Sequence, residues 1–219
     1  MTPRGQGGGR RGRVVAATIA LLALVVGAVL VVNGLQKSAG PPQAETAEAQ
    51  AAPTPRKAPT QARVDLGPVL PGSPPVALDI PSIDVHSTKI VGLGLAKDGT
   101  IEVPRNAANP GWFTPGPSPG QFGPAVIAGH VDSKKGPAVF YRLGELRRGD
   151  RVMVARKDGS VASFVIDGVK QYDKDKFPTR AVYGNSTNRA ELRLITCGGQ
   201  YDRKTGYLSN IVAFAHLTA

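Results

Sequence analysis

Apolar residues recur through residues 76–219 in short runs of period two, bounded by Gly, Pro, Asn and Asp, which is the pattern of strands joined by turns. Val76-Ala77-Leu78-Asp79-Ile80 alternates and is stopped by Pro81. Residues 85–91 form a second candidate strand, and Asp98-Gly99 is a hairpin-type turn leading into Thr100-Ile101-Glu102-Val103. Pro124-Ala125-Val126-Ile127-Ala128-Gly129-His130 reads as a buried strand with an exposed end. Residues 151–156 and 160–166 flank Lys157-Asp158-Gly159 as a hairpin, 169–172 continue the sheet, and 192–197 and 210–214 complete it. Residues 140–146 predict one short helix. Residues 109–123, dense in Pro and Gly, predict a loop pinned by Trp112 and Phe113, and residues 177–188 are irregular. About eight strands and almost no helix predict a closed or sandwiched β architecture.

Upstream the pattern changes. Residues 14–32 run without a charge, about the ~20 residues a helix needs to cross a bilayer. Arginines precede this stretch, so the positive-inside rule puts the N-terminus in the cytoplasm. A cleaved signal peptide fits less well, because its apolar region is usually shorter and Ser38-Ala39-Gly40 is a poor cleavage site. The expected organisation is a basic cytoplasmic tail over 1–13, a transmembrane anchor over 14–32, a disordered Pro/Ala-rich linker over 33–75 and an extracytoplasmic domain over 76–219. The linker has no apolar period and its prolines favour extended backbone.

Composition narrows the chemistry. Aromatics make up only 5% of the 219 residues, so the core must be mostly aliphatic. Five of the basic residues behind the net charge of +11 (Arg4, Arg10, Arg11, Arg13 and Lys37) lie before residue 38, where there is no acid. The remaining excess suits an anionic envelope surface. No basic patch interleaved with aromatics points to nucleic acid. His86, His130 and His216 are far apart and lack nearby Cys or Glu partners, so neither a metal nor a cofactor is expected.

One cysteine excludes an intramolecular disulfide and leaves a thiol that is either buried or reactive. Cys197 ends the apolar run Leu192-Arg193-Leu194-Ile195-Thr196 and is followed by Gly198-Gly199, where backbone can take unusual conformations. A nucleophilic thiol needs a base. His130 ends another apolar strand, and imidazole is the side chain best suited to passing protons near neutrality. Asp132 either holds that imidazole or starts the turn after it. Arg203, in Gln200-Tyr201-Asp202-Arg203-Lys204-Thr205-Gly206, either binds a developing oxyanion or is a solvated turn charge.

Taken together, these strings resemble the sortases over residues 76–219. The family's Thr-Leu-x-Thr-Cys signature appears as Arg193-Leu194-Ile195-Thr196-Cys197, with Arg for the first Thr, and its His motif as Ala128-Gly129-His130. Cys-Gly-Gly-x-Tyr-Asp-Arg from Cys197, and Gly-His-Val-Asp-Ser-x-x-Gly-Pro-Ala-Val-Phe from Gly129, look like the class F sortases of Gram-positive actinobacteria. The resemblance implies an all-β, eight-stranded barrel with short helices. It implies a membrane-anchored Cys-His-Arg transpeptidase formed by Cys197, His130 and Arg203, with Thr196 at the substrate. That enzyme would cleave an LPxTG-like sorting signal of secreted proteins through a thioester, and pass the acyl group to a peptidoglycan precursor amine. A hydrolase of the same fold and a non-catalytic envelope-binding β-domain are the alternatives. One departure stands out: where many sortases carry the catalytic Arg, near the start of the last strand, this chain has Tyr207-Leu208-Ser209-Asn210. Arg203 is the nearest replacement. Arg193 shares the strand face of Cys197 but lies about 13 Å down the strand at ~3.3 Å per residue.

Overall fold

The computed structural model describes residues 67–184 and 188–218. Among these residues are eleven strands: β1 (Pro75–Ile80), β2 (Val85–Ser87), β3 (Val91–Leu93), β4 (Gly111–Phe113), β5 (Gly123–Ala128), β6 (Asp132–Ser133), β7 (Gly136–Pro137), β8 (Arg151–Arg156), β9 (Val161–Asp173), β10 (Ala190–Asp202) and β11 (Gly206–Leu217). The single α-helix among the described residues, α1, has five residues (Thr179–Tyr183). Nine strands form one sheet in the order β2-β1-β8-β9-β11-β10-β5-β4-β3, and β6 and β7 form a separate hairpin.

The expected eight-stranded closed barrel is therefore corrected to a curled, mostly open sheet of nine strands, whose end strands β2 and β3 are not paired with each other. Yet only residues 88–90 separate those two strands in the chain. That link spans at most ~14 Å, so the sheet curls far enough to bring its edges close. It stops short of closure because both edges are only three residues long. The link also turns locally, with the Ser87 hydroxyl donating to the Lys89 carbonyl at 2.9 Å. Short edge strands are a usual protection against further pairing.

The membrane expectation is corrected as well. Among the described residues no helix is long and apolar enough to cross a membrane, so the expected transmembrane helix and single-pass topology find no support. The stretch 14–32 on which they were read lies outside the described residues, as does the tail 1–13.

Burial follows the alternation. In β8 the pattern runs exposed-buried along the strand, with Val152 and Val154 inward, and β1 turns Leu78 and Ile80 the same way. These join Phe164 and Ile166 of β9, Ile211, Ala213 and Ala215 of β11, Leu192 and Leu194 of β10, and Ala125 and Ile127 of β5 in one core inside the curl. Phe140, Leu143 and Leu146 plug it, from a segment with a single 3-10 turn (Leu143–Glu145) where a short helix was expected. The outer face of the central strands carries a second cluster of Val126, Ile195 and Val212, capped by Val182 of α1. A strand covered on both sides has no polar face to display, which explains the continuous apolar run of β5 and its parallel pairing with β10, whose Glu191 and Arg193 are buried and paired with each other.

Residues 70–74, ahead of β1, run along the domain under several hydrogen bonds. Leu70 N–H donates to the Gly120 carbonyl at 2.8 Å, and Ser73 N–H to the Ser118 hydroxyl at 2.9 Å. The buried Arg156 guanidinium donates to the Pro71 carbonyl.

At the opposite edge, His86 of β2 lies across from Asp79 of β1 and bonds to its carboxylate, with Asp84 at 3.3 Å from Nε2. The Asp79 hydrogen bond is the largest cause of a raised His86 pKa, above its ordinary 6.5. The charged imidazole is thus favoured in the folded state, and this contribution is complete below pH ~6.5 and lost as pH rises through the raised value. An NMR titration of His86 is expected to show a midpoint above ~6.5 that falls back in Asp79→Asn. An unshifted midpoint would mean that the edge pair does not form in solution.

Candidate active site

Cys197 sits on β10 two residues beyond Ile195, on the outer face and half-buried. The parallel register pairs Ile195 with Ala128 of β5, and Gly129 N–H still donates to the Ile195 carbonyl at 3.0 Å. Extrapolated two residues past the end of β5, this register runs His130 alongside Cys197, which lies within β10. The close passage past the core requires glycine at 129: a Cβ there would stand 2.6 Å from Phe140 Cδ2 and 2.8 Å from Val139 Cγ1.

Beyond Cys197 the β10–β11 ladder slips by one residue between Gly198 and Tyr201. Gly199, at φ +78°, makes the bulge, and a Cβ there would fall 2.6 Å from the Ser209 hydroxyl. The slip makes Asn210 of β11 the direct cross-strand partner of Cys197.

His130 is half-buried, and its Nε2 lies 2.6 Å from the Pro104 carbonyl. A carbonyl only accepts, so Nε2 carries a proton and Nδ1 is the acceptor atom of the neutral ring. Among the described residues no hydrogen bond links this imidazole to Cys197. Asp132 does not hold the imidazole. It starts the β6–β7 hairpin, and its carboxylate accepts from the Tyr207 hydroxyl. Burial, and then this bond, push the Tyr207 pKa well up.

The two arginines have other places. Arg203 is exposed in the turn between β10 and β11, where Asp202 binds the backbone N–H groups of Lys204 (2.8 Å) and Thr205 (2.9 Å). Arg193 is 3% exposed and fully engaged. Its Nη2 donates to Glu191 at 2.6 Å, its Nε to the Val182 carbonyl of α1 at 3.2 Å, and its guanidinium lies 4.7 Å from the Phe214 ring centroid. The network continues from Glu191 to Arg189 (3.1 Å), Asp167 (2.9 Å) and His216 (2.8 Å). The expected membrane-anchored Cys-His-Arg transpeptidase is corrected accordingly. No membrane-crossing helix is present among the described residues, and no cysteine–histidine–arginine arrangement is joined there.

A groove of about 690 Å³ opens over Cys197. Ala128, Gly129, Ile195, Thr196, Cys197 and Asn210 form its floor. One wall is the segment from Leu95 to Pro104 with Phe113, and the other is Phe177 with Thr179 and Tyr183 of α1. Phe177 packs between Tyr172, edge to face at 5.9 Å between centroids, and Tyr183, tilted at 5.8 Å, which fixes the second wall. The rim is apolar and open, with Leu95 57% and Val103 66% exposed. Thr196 is buried, and its Oγ1 has no hydrogen-bond partner among the described residues. No group of His, Cys, Asp and Glu among the described residues could hold a metal ion.

The sequence points to the loops 109–123 and 177–188 as the groove lining, and they supply Phe113, and Phe177, Thr179 and Tyr183. It does not point to Asn210, Pro104 or the wall formed by the segment from Leu95, part of which reads as a turn leading into a strand.

Cys197 thus lies within β10 on the floor of an apolar groove, and His130 follows the end of β5, the parallel strand beside it. The family model for the sortase domain matches residues 78–218, and the chain belongs to the sortase family. No curated protein matches the chain. Among solved structures, the SrtA sortase from Actinomyces oris superposes with a TM-score of 0.52 at 21% identity, covering 71% of this chain and 88% of that one. Sortase A from Corynebacterium diphtheriae gives 0.50 at 18% identity, and the match spans 67% of this chain but only 62% of that protein. Sortase C1 from Streptococcus agalactiae gives 0.51 at 15% identity, covering 65% and 66%. At these identities the likeness is one of fold.

Proposed function

We propose that this sortase-family chain is a cysteine acyl-transfer enzyme of the class F type, acting on a peptide carbonyl. Cys197 attacks the carbonyl carbon, its proton passes to Nδ1 of His130, and His130 returns that proton to the leaving amine. The carbon–nitrogen bond breaks as the thioester forms, and a second amine or water then releases the acyl group. The class F assignment rests on the strings that begin at Gly129 and Cys197. One observation carries the proposal: the only thiol of the chain lies half-exposed on the floor of a groove, beside the parallel strand β5 that His130 follows by two residues. The apolar walls favour an aliphatic peptide segment next to the scissile bond, with Thr196 under it.

Iodoacetamide tests the thiol first. Native protein is expected to take up one adduct, at Cys197, without denaturant, and to lose peptide cleavage with it. Labelling only after unfolding would make Cys197 a core residue and the domain a binding module. Product analysis then separates transfer from hydrolysis: with added glycinamide the amide product is expected to outnumber the free acid.

A further inference from the structure

The geometry points to Asn210 as the catalytic donor that holds the carbonyl oxygen while Cys197 attacks, a role that rests on the acyl-transfer reading above. Three observations converge. First, Cys197 and Asn210 are direct partners across β10 and β11, so their side chains leave the same face with Cβ atoms ~5 Å apart. Second, Asn210 is half-buried on the groove floor beside the thiol, and among the described residues its side chain makes no hydrogen bond. Third, the arginines are elsewhere. Arg203 is exposed in the turn beyond the bulge, and Arg193 is consumed by Glu191, Val182 and Phe214. Lys174 is the one cation lining the groove among the described residues, and it is exposed on the wall side.

The chemistry fits an amide. As sulfur bonds to the carbonyl carbon, the oxygen gains negative charge, and one N–H of Asn210 Nδ2 donates to it in a bond that strengthens as that charge develops. When the carbon–nitrogen bond breaks and the thioester forms, the charge returns to the carbonyl. A neutral donor needs no buried counter-ion, which suits a floor made of Ala128, Gly129 and Ile195. The one-residue slip at Gly199 is what delivers Asn210 to this place, since an unbroken ladder would set Ile211 opposite the thiol.

Two reagents on the full chain separate the donor from the thiol. Acylation by p-nitrophenyl butyrate passes through an oxyanion, whereas alkylation by iodoacetamide does not. Asn210→Ala is expected to slow burst release of nitrophenolate by about 10²-fold while its alkylation rate stays within about twofold of wild type. Asn210→Asp, which keeps the shape but loses the donors, is expected to lose at least as much. Arg203→Ala is expected to leave both rates unchanged. Asn210 variants that acylate within about twofold of wild type, or a larger loss in Arg203→Ala or Lys174→Ala, would overturn the assignment. Nitrophenolate release that persists in Cys197→Ala would overturn the thiol reading itself, and the role of Asn210 with it.

Discussion

Cys197→Ala is expected to abolish acyl-enzyme formation outright and leave the fold intact. No other thiol exists in the chain to take over the attack. The substitution removes one sulfur atom from a half-exposed position on a groove floor, so no closed cavity results and no side-chain bond of the core is broken. Urea unfolding of the variant should fall within about 1 kcal/mol of the wild type, as for surface positions without special contacts. His130→Ala is expected to cost less, about 10²–10⁴-fold in acylation, the usual range for a positioned proton-transfer group. Equal acylation in wild type and Cys197→Ala would remove the thiol from the mechanism.

The second large effect is on stability. Arg193→Met is expected to cost about 3–5 kcal/mol in urea unfolding, because it removes one partner of a buried ion pair. Arg193 and Glu191 are 3% and 2% exposed, and the guanidinium donates to the carboxylate at 2.6 Å. Methionine keeps much of the packing volume over Phe214 but leaves the Glu191 charge without that guanidinium. It also cuts the bond to the Val182 carbonyl, which ties α1 to β10. The helix has only five residues and no side-chain cap at its N-terminus, so its own hydrogen bonds do little to hold it. Loosening α1 displaces Thr179 and Tyr183, and the peptide KM should rise more than kcat falls. Adding Glu191→Gln should recover part of the lost stability, since no charge then stays buried. A loss below about 1 kcal/mol would show that the pair is solvated and does not fasten the wall.

Much of the sheet was legible because local pattern and tertiary role agree there. β1 alternates up to Pro81 and turns Leu78 and Ile80 inward. The Asp158-Gly159 turn joins β8 to β9, with Asp158 accepting from Ser160 N–H at 3.0 Å. The runs ending at Ala128 and Cys197 were readable as buried strands since both faces are covered. β4 was not, because Trp112 sits in a Pro- and Gly-rich stretch and becomes a strand only through partners on both sides, β3 and β5. α1 was missed for a similar reason: what fixes it is the burial of Val182 and its bond to Arg193, neither of them local. The open edge was illegible too, for nothing in the three-residue strands Val85–Ser87 and Val91–Leu93 says whether they meet. At the site, counting back from the Asp202–Gly206 turn would have set Cys197 opposite Ile211. Only the bulge at Gly199, signalled by the glycine pair but not placed by it, shifts the partner to Asn210.

Intact-mass spectrometry of the full chain during peptide turnover is the most direct test of the thiol mechanism. Incubated with a mixture of aliphatic peptides, wild-type protein should carry one acyl group per chain, released by hydroxylamine as a thioester would be and mapping to Cys197. A chain that cleaves peptide without ever gaining that mass, or that gains it equally in Cys197→Ala, would contradict the account.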